Sequence, residues 1–167
     1  MTLYLIRHAQ AGQKSAWSAS DSKRPLSVKG EAQAEGIAEA FDGAGITRVI
    51  SSPLTRCRQT VQPLAGRIGA PVELDDRLAE GASVQQAIDL VRKIVAAEET
   101  AALCSHGDVI PEVIQALHDE GLEGDGHLAS AKGGTFLLDT AAGQIVKSHY
   151  VPPPEVATTD TSFPKRP

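Results

Sequence analysis

The chain has 167 residues, a net charge of −5, 41% hydrophobic residues and 22% charged ones. That length supports one domain with a proper core, and the negative balance argues against non-specific nucleic-acid binding. No apolar run is long enough to span a bilayer and the first residues lack a leader-like pattern, so no membrane partner and a cytoplasmic setting are expected, with Cys57 and Cys104 as reduced, partly buried thiols.

Residues 2–6 form an apolar run that reads as a buried strand, ended by Arg7 and His8. Residues 10–25 are polar, contain Gly12 and several serines, and read as a loop, with Trp17 as a small packing anchor or part of a substrate rim. Ser27 is placed to cap a helix through Phe41, with Ala32, Ile37, Ala38 and Phe41 facing inward and Gly43 and Gly45 ending it. Residues 47–51 form a second strand. Ser52-Pro53 predicts a helix start, because serine caps and proline suits the first helical position; that helix runs through Arg67 and stops at Gly69. Residues 71–74 are a short third strand, followed by a loop with Arg77 and Glu80. Ser83 and Gln86 form a capping box for a helix to about Ala97.

Residues 101–104 are a fourth strand, and Asp108 is placed to cap a helix from Val109 to about His118. A glycine-rich, charged loop covers 119–134. Residues 135–138 and 145–150 read as two further strands, joined around Ala142-Gly143 by a link longer than the tightest turns. Residues 1–150 are thus read as one domain, and 151–167, opened by Pro152-Pro153-Pro154, as a tail that is extended or disordered. Strands alternating with helices predict an α/β fold, a three-layer α/β/α sandwich around a mostly parallel sheet.

In such sheets ligands bind beyond the carboxyl ends of the strands. The chain's polar clusters follow strand ends: Arg7-His8, then Ser51-Ser52 with Arg56, then Glu80, then His106 before Gly107. Parallel strands would bring two arginines, two histidines and a carboxylate to one edge. Two guanidinium forks match the oxygens of a phosphate dianion, and Arg56 sits near a helix N-terminus, which also favours an anion. Each residue alone has a bland reading: a structural histidine, a solvated arginine, or Glu80 paired with Arg77. The joint placement makes the case.

These blocks resemble the histidine phosphatase superfamily, also called phosphoglycerate mutase-like. Leu5-Ile6-Arg7-His8-Ala9, the run from Ser51 to Thr60, Leu78-Ala79-Glu80 and Ser105-His106-Gly107-Asp108 are similar to its motifs in order and spacing. The resemblance implies that His8 is the nucleophile, that Arg7, Arg56 and His106 hold the phosphoryl oxygens, and that Glu80 gives the leaving group its proton. Glu80 must be protonated to donate, a state that either desolvation or the nearby phosphoryl charge would favour. The short chain is similar to the SixA-like branch, and residues 21–26 resemble its loop block, which makes Arg24 a candidate substrate contact. Residues 11–17, 109–111 and 132–135 also resemble a phosphatase domain that follows a nudix domain in some actinobacterial proteins, although no nudix signature is present.

Three departures weigh against a mutase. Lys14 stands six residues beyond the nucleophile, where the larger mutases have asparagine, Ala9 replaces their glycine, and their long capping insertion is missing. Lys14 and Gly107 join Arg24 as candidate substrate contacts. The expected activity is hydrolysis of a phosphorylated small molecule or a phosphohistidine protein, with no cofactor and no metal. The alternatives are a phosphotransferase or mutase of the phosphoglycerate type, and a weakly catalytic phospho-ligand or protein-binding module on the same fold.

Overall fold

The structure, a computed structural model, describes residues 1–166. Its strands are β1 (Thr2–Arg7), β2 (Arg48–Ser51), β3 (Val72–Leu74), β4 (Ala101–Ser105), β5 (Glu123–Gly124), β6 (Thr135–Ala141) and β7 (Gln144–Val151). Its helices are α1 (Val28–Ala40), α2 (Thr55–Ile68), α3 (Val84–Ala96) and α4 (Ile110–Asp119), with single 3-10 turns at Lys14–Ala16, Asp21–Lys23 and Asp76–Leu78.

The seven strands form one sheet in the order β3-β2-β4-β1-β6-β7-β5. β3, β2, β4 and β1 are mutually parallel, and β6 runs antiparallel to both β1 and β7. Side chains alternate across the sheet as the two-residue period requires. Leu3, Leu5, Ile50 and Leu103 pack against α3 and α4 through Val91, Ile94, Val113 and Ile114. Tyr4, Ile6, Val49 and Cys104 face α1 and α2 through Ile37, Val61 and Leu64. The three-layer sandwich is therefore the observed architecture, its core split by the sheet into two apolar layers.

Local signals explain most boundaries. Ser27 Oγ accepts the Gly30 N–H and opens α1, Ser83 Oγ accepts the Gln86 N–H and opens α3, and Gly69 closes α2 at φ 69°. In α1 the inward positions are Gln33, Ala34, Ile37 and Ala38, and Ala32 is only partly buried. α2 starts at Thr55 rather than at Ser52-Pro53. Ser52 is still held at the sheet, its N–H donating to the Cys104 carbonyl at 2.9 Å, and its Oγ accepts the Leu54 N–H at 3.3 Å ahead of the helix. Asp108 does not cap α4. Its carboxylate accepts the Gly81 N–H at 2.8 Å, and α4 follows Val109 with no side-chain cap. The β6–β7 link is tighter than expected: Ala142 and Gly143 both have positive φ (51° and 71°), the signature of a two-residue hairpin turn. After β7, residues 152–166 form no helix or strand and run along α1, where the Ser162 and Asp160 carbonyls accept the Val28 and Lys29 N–H groups.

Candidate active site

Sheet register sets the geometry of the site. Arg7 pairs with Ser105 across β1 and β4, so His8 and His106 leave the sheet side by side. The His8 N–H donates to the Ser105 carbonyl at 3.0 Å, and the two imidazoles meet edge to face with centroids 5.3 Å apart. That separation is close to one interstrand spacing.

His8 is 7% exposed, and its Nδ1 lies 2.8 Å from the Ala9 carbonyl. A carbonyl can only accept, so Nδ1 carries the proton and Nε2 keeps its lone pair. Burial lowers the His8 pKa to about 3; the Ala9 hydrogen bond opposes this, and the charges of His106, Arg56 and Arg7 add to it. The imidazole is thus held neutral and aimed, as a nucleophile must be.

Two guanidiniums flank it. Arg7 donates from Nη1 to the Ser130 carbonyl and lies directly over Gly107: a Cβ on that residue would sit 2.6 Å from Arg7 Cζ. Glycine is needed at 107 to let the guanidinium in. Arg56 is 1% exposed and donates to the Asp21 carbonyl (3.0 Å) and to Glu80 Oε2 (3.0 Å). Among the described residues only three buried side-chain polar atoms lack a partner, and two of them are Arg7 Nε and Arg56 Nε. Buried charged donors without acceptors are rare unless a ligand supplies them. α2 is locked to β1 by Thr60, whose hydroxyl accepts the Ala9 N–H at 2.9 Å and donates to the Arg56 carbonyl at 2.7 Å.

His106 is fixed by Ser52 Oγ at 2.8 Å from Nε2 and by Cys57 Sγ at 3.4 Å from the same atom. Glu80 is brought in by two ties on its loop: Ser105 Oγ donates to the Leu78 carbonyl (2.7 Å), and Asp108 holds the Gly81 N–H. Arg77 pairs with Asp75 and leaves Glu80 to Arg56.

The structure thus joins His8, Arg7, Arg56, His106, Glu80 and Gly107 at one sheet edge. Arg24 lies beside them but is occupied, its Nε bonded to Asp21 Oδ1 (2.8 Å) and its Nη1 to the Gly12 carbonyl (2.7 Å). Lys14 sits exposed on the outer 3-10 turn, where its charge helps to lower the Asp21 pKa, an effect led by the Arg24 hydrogen bond. Both cysteines are free and buried.

Sequence reasoning missed Lys132 and Asp21. The Lys132 pKa is lowered by partial burial first, then by Arg7, Arg24 and Arg56, which puts it in the same cationic field. It arrives on the turn just before β6, a place that strand-end reasoning could not use. β6 is antiparallel to β1, so its beginning, not its end, lies beside His8; there the Gly133 N–H reaches the carbonyls of both Arg7 (3.1 Å) and His8 (3.0 Å). The Gly133-Gly134 pair was the available signal.

A fold with this edge and this set of side chains defines a protein class. The family model of the histidine phosphatase superfamily (branch 1) matches residues 3–87, and the chain belongs to that superfamily. Among curated proteins it is similar to the 8-oxo-(d)GTP phosphatase of Mycolicibacterium smegmatis (strain ATCC 700084 / mc(2)155), at 29% identity over 157 residues, covering 92% of this chain and 49% of the relative. The chain spans less than half the length of the first curated relatives it matches. Among solved structures, the protein histidine phosphatase SixA complexed with tungstate superposes with a TM-score of 0.71 at 20% identity, covering 90% of this chain and 94% of that one. A mycobacterial glucosyl-3-phosphoglycerate phosphatase complexed with VO3 gives 0.69 at 18%, covering 89% and 96%. At these identities the structures establish a shared fold.

Proposed function

We propose that the chain is a phosphatase that hydrolyses phosphomonoesters or phosphohistidine through a covalent intermediate on His8. The observation that carries this reading is a neutral, buried His8, with its Nε2 lone pair free, beside the half-buried Arg7 and the buried Arg56, whose guanidiniums each keep a buried, unpartnered Nε–H.

The reaction follows from those groups. A phosphoryl group enters between Arg7 and Arg56, which supply fixed positive donors for its oxygens, with the His106 imidazole beside them. His8 Nε2 attacks phosphorus; the N–P bond forms as the P–O or P–N bond to the leaving group breaks. Glu80 gives its proton to the departing atom. Water then attacks the phosphohistidine, Glu80 takes the proton back, and inorganic phosphate leaves with His8 restored. The guanidiniums perform the charge neutralisation that a metal performs elsewhere, so the proposal needs no metal and no cofactor. The Glu80 side chain is 54% exposed, which keeps the second step open to water and favours hydrolysis over transfer to a retained product.

The substrate is a phosphorylated small molecule or a phosphohistidine protein. The relatives' names support phosphorylated metabolites and the SixA neighbour supports a phosphoprotein. The acidic chain argues against nucleic-acid polymers, and no described helix is long and apolar enough to cross a membrane. A reducing, cytoplasmic setting belongs to this reading, supported by the free thiols.

The test is turnover of an aryl phosphate by purified protein in excess chelator, with rapid acid-free quenching to trap label on the peptide holding His8. The label should be alkali-stable and acid-labile, and His8→Ala should show neither label nor turnover. Turnover surviving in a clean His8→Ala preparation refutes the mechanism.

A further inference from the structure

We infer that Phe163, in the segment after the last strand, is a positioning residue for Arg56; the inference rests on the function proposed above. The loop between Gly12 and Leu26 carries Asp21 and Arg24 to the site, yet none of its residues 13–25 is buried and its two 3-10 turns bury nothing. Such a loop has little apolar packing to hold one conformation.

The C-terminal segment supplies the missing anchor. It is itself fastened to α1: the Ser162 and Asp160 carbonyls accept the Val28 and Lys29 N–H groups at 3.0 and 2.7 Å, satisfying two donors that a helix start leaves free. Pro154 packs on Gly36, and Arg166 pairs with Glu31. This fastening delivers the Phe163 ring onto the loop. Its centroid lies 5.3 Å from that of Trp17, and it covers the Gly12 backbone so closely that a Cβ there would meet Phe163 Cε1 at 2.0 Å.

From Gly12 a continuous set of bonds leads to the catalytic arginine. The Gly12 carbonyl accepts Arg24 Nη1 at 2.7 Å, and Arg24 Nε holds Asp21 Oδ1 at 2.8 Å. The Asp21 carbonyl in turn accepts Arg56 Nη1 at 3.0 Å, with Asp21 Oδ2 3.4 Å from Arg56 Nη2. Arg56 therefore has its guanidinium set by Glu80 on one side and by this loop on the other. Removing the aromatic anchor frees the loop, and Arg56 loses a fixed partner where it must meet the phosphoryl group.

Phe163→Ala is the direct test. KM for an aryl phosphate should rise about tenfold, with kcat falling less, and stabilisation of the fold by inorganic phosphate should weaken in parallel. Phe163→Tyr should restore both. Gly12→Ala, whose methyl expels the ring, should reproduce the defect, and the Gly12→Ala/Phe163→Ala pair should be no worse than either alone. If Phe163→Ala does not fold, Trp17→Ala removes the same contact from the loop side and is read in the same way. KM and phosphate stabilisation within twofold of wild type, or fully additive effects in the pair, overturn the inference. Wild-type protein that neither turns over the ester nor gains stability from phosphate overturns the proposed function, and the inference with it.

Discussion

The neutral state of His8 has a cost that can be measured without substrate. Its pKa is about 3 in the folded chain against an ordinary 6.5, chiefly because it is buried. The folded value lies below the unfolded one. The stability linked to it is therefore fully present above pH 6.5 and falls as pH drops towards 3, because the unfolded chain takes up the proton first. Over the 1.5 pH units from 6.5 to 5.0, at about 1.36 kcal/mol per unit, the loss is about 2 kcal/mol. This figure depends on the unfolded pKa and hardly on the folded one, so long as the latter stays below about 4. His8→Gln cannot titrate, while the carboxylates of Asp21 and Glu80 are common to both proteins and cancel in the comparison. Urea denaturation followed by circular dichroism at pH 7.5 and 5.0 should show wild type losing about 2 kcal/mol more than His8→Gln over that interval. If the two proteins lose stability in parallel, to within about 0.5 kcal/mol, His8 is not held neutral by the fold and the nucleophile argument fails.

Glu80→Gln should slow an alkyl phosphate by about a hundred- to ten-thousand-fold but a nitrophenyl phosphate far less, provided that phosphorylation of His8 limits the rate, since only the poor leaving group needs the proton; equal losses on both would make Glu80 a positioning or water-activating group. Arg56→Ala should raise KM and lower kcat together, by at least about a hundredfold in kcat/KM, in steady-state assays; wild-type kinetics would remove Arg56 from the pocket. Gly107→Ala should leave the urea midpoint nearly unchanged, because the displaced atoms are the end of the Arg7 side chain and not backbone, yet cut kcat/KM about a hundredfold by moving that guanidinium. Lys132→Ala should raise KM and steepen nothing in kcat, and an unchanged KM would place the lysine outside the substrate's reach.

Much of this was legible from one-dimensional patterns, for physical reasons. A continuous apolar run marked β1, because a strand covered on both faces leaves an unbroken apolar trace. Ser27 and Ser83 announced α1 and α3 because a cap bonds within its own turn. The grouping of the candidate site residues could be read because parallel strands deliver their carboxyl ends to one edge, so Arg7, His8, Arg56, Glu80 and His106 each followed a strand. Only the tertiary structure decided what depends on partners distant in sequence. Ser52 stays at the sheet instead of opening α2 because the Cys104 carbonyl holds its backbone and His106 its hydroxyl. Asp108 leaves its helix uncapped because Gly81 competes for the carboxylate, a contact with no local signature. Lys132 reaches the cationic edge because β6 is antiparallel, and strand direction is set by pairing with β1, not by the residues of β6 itself. Composition alone describes residues 151–167 as proline-rich chain; the contact of Phe163 with Gly12 and Trp17 exists because the chain after β7 runs back along α1, from Gly36 to the free N–H groups of Val28 and Lys29, and no local pattern carries that.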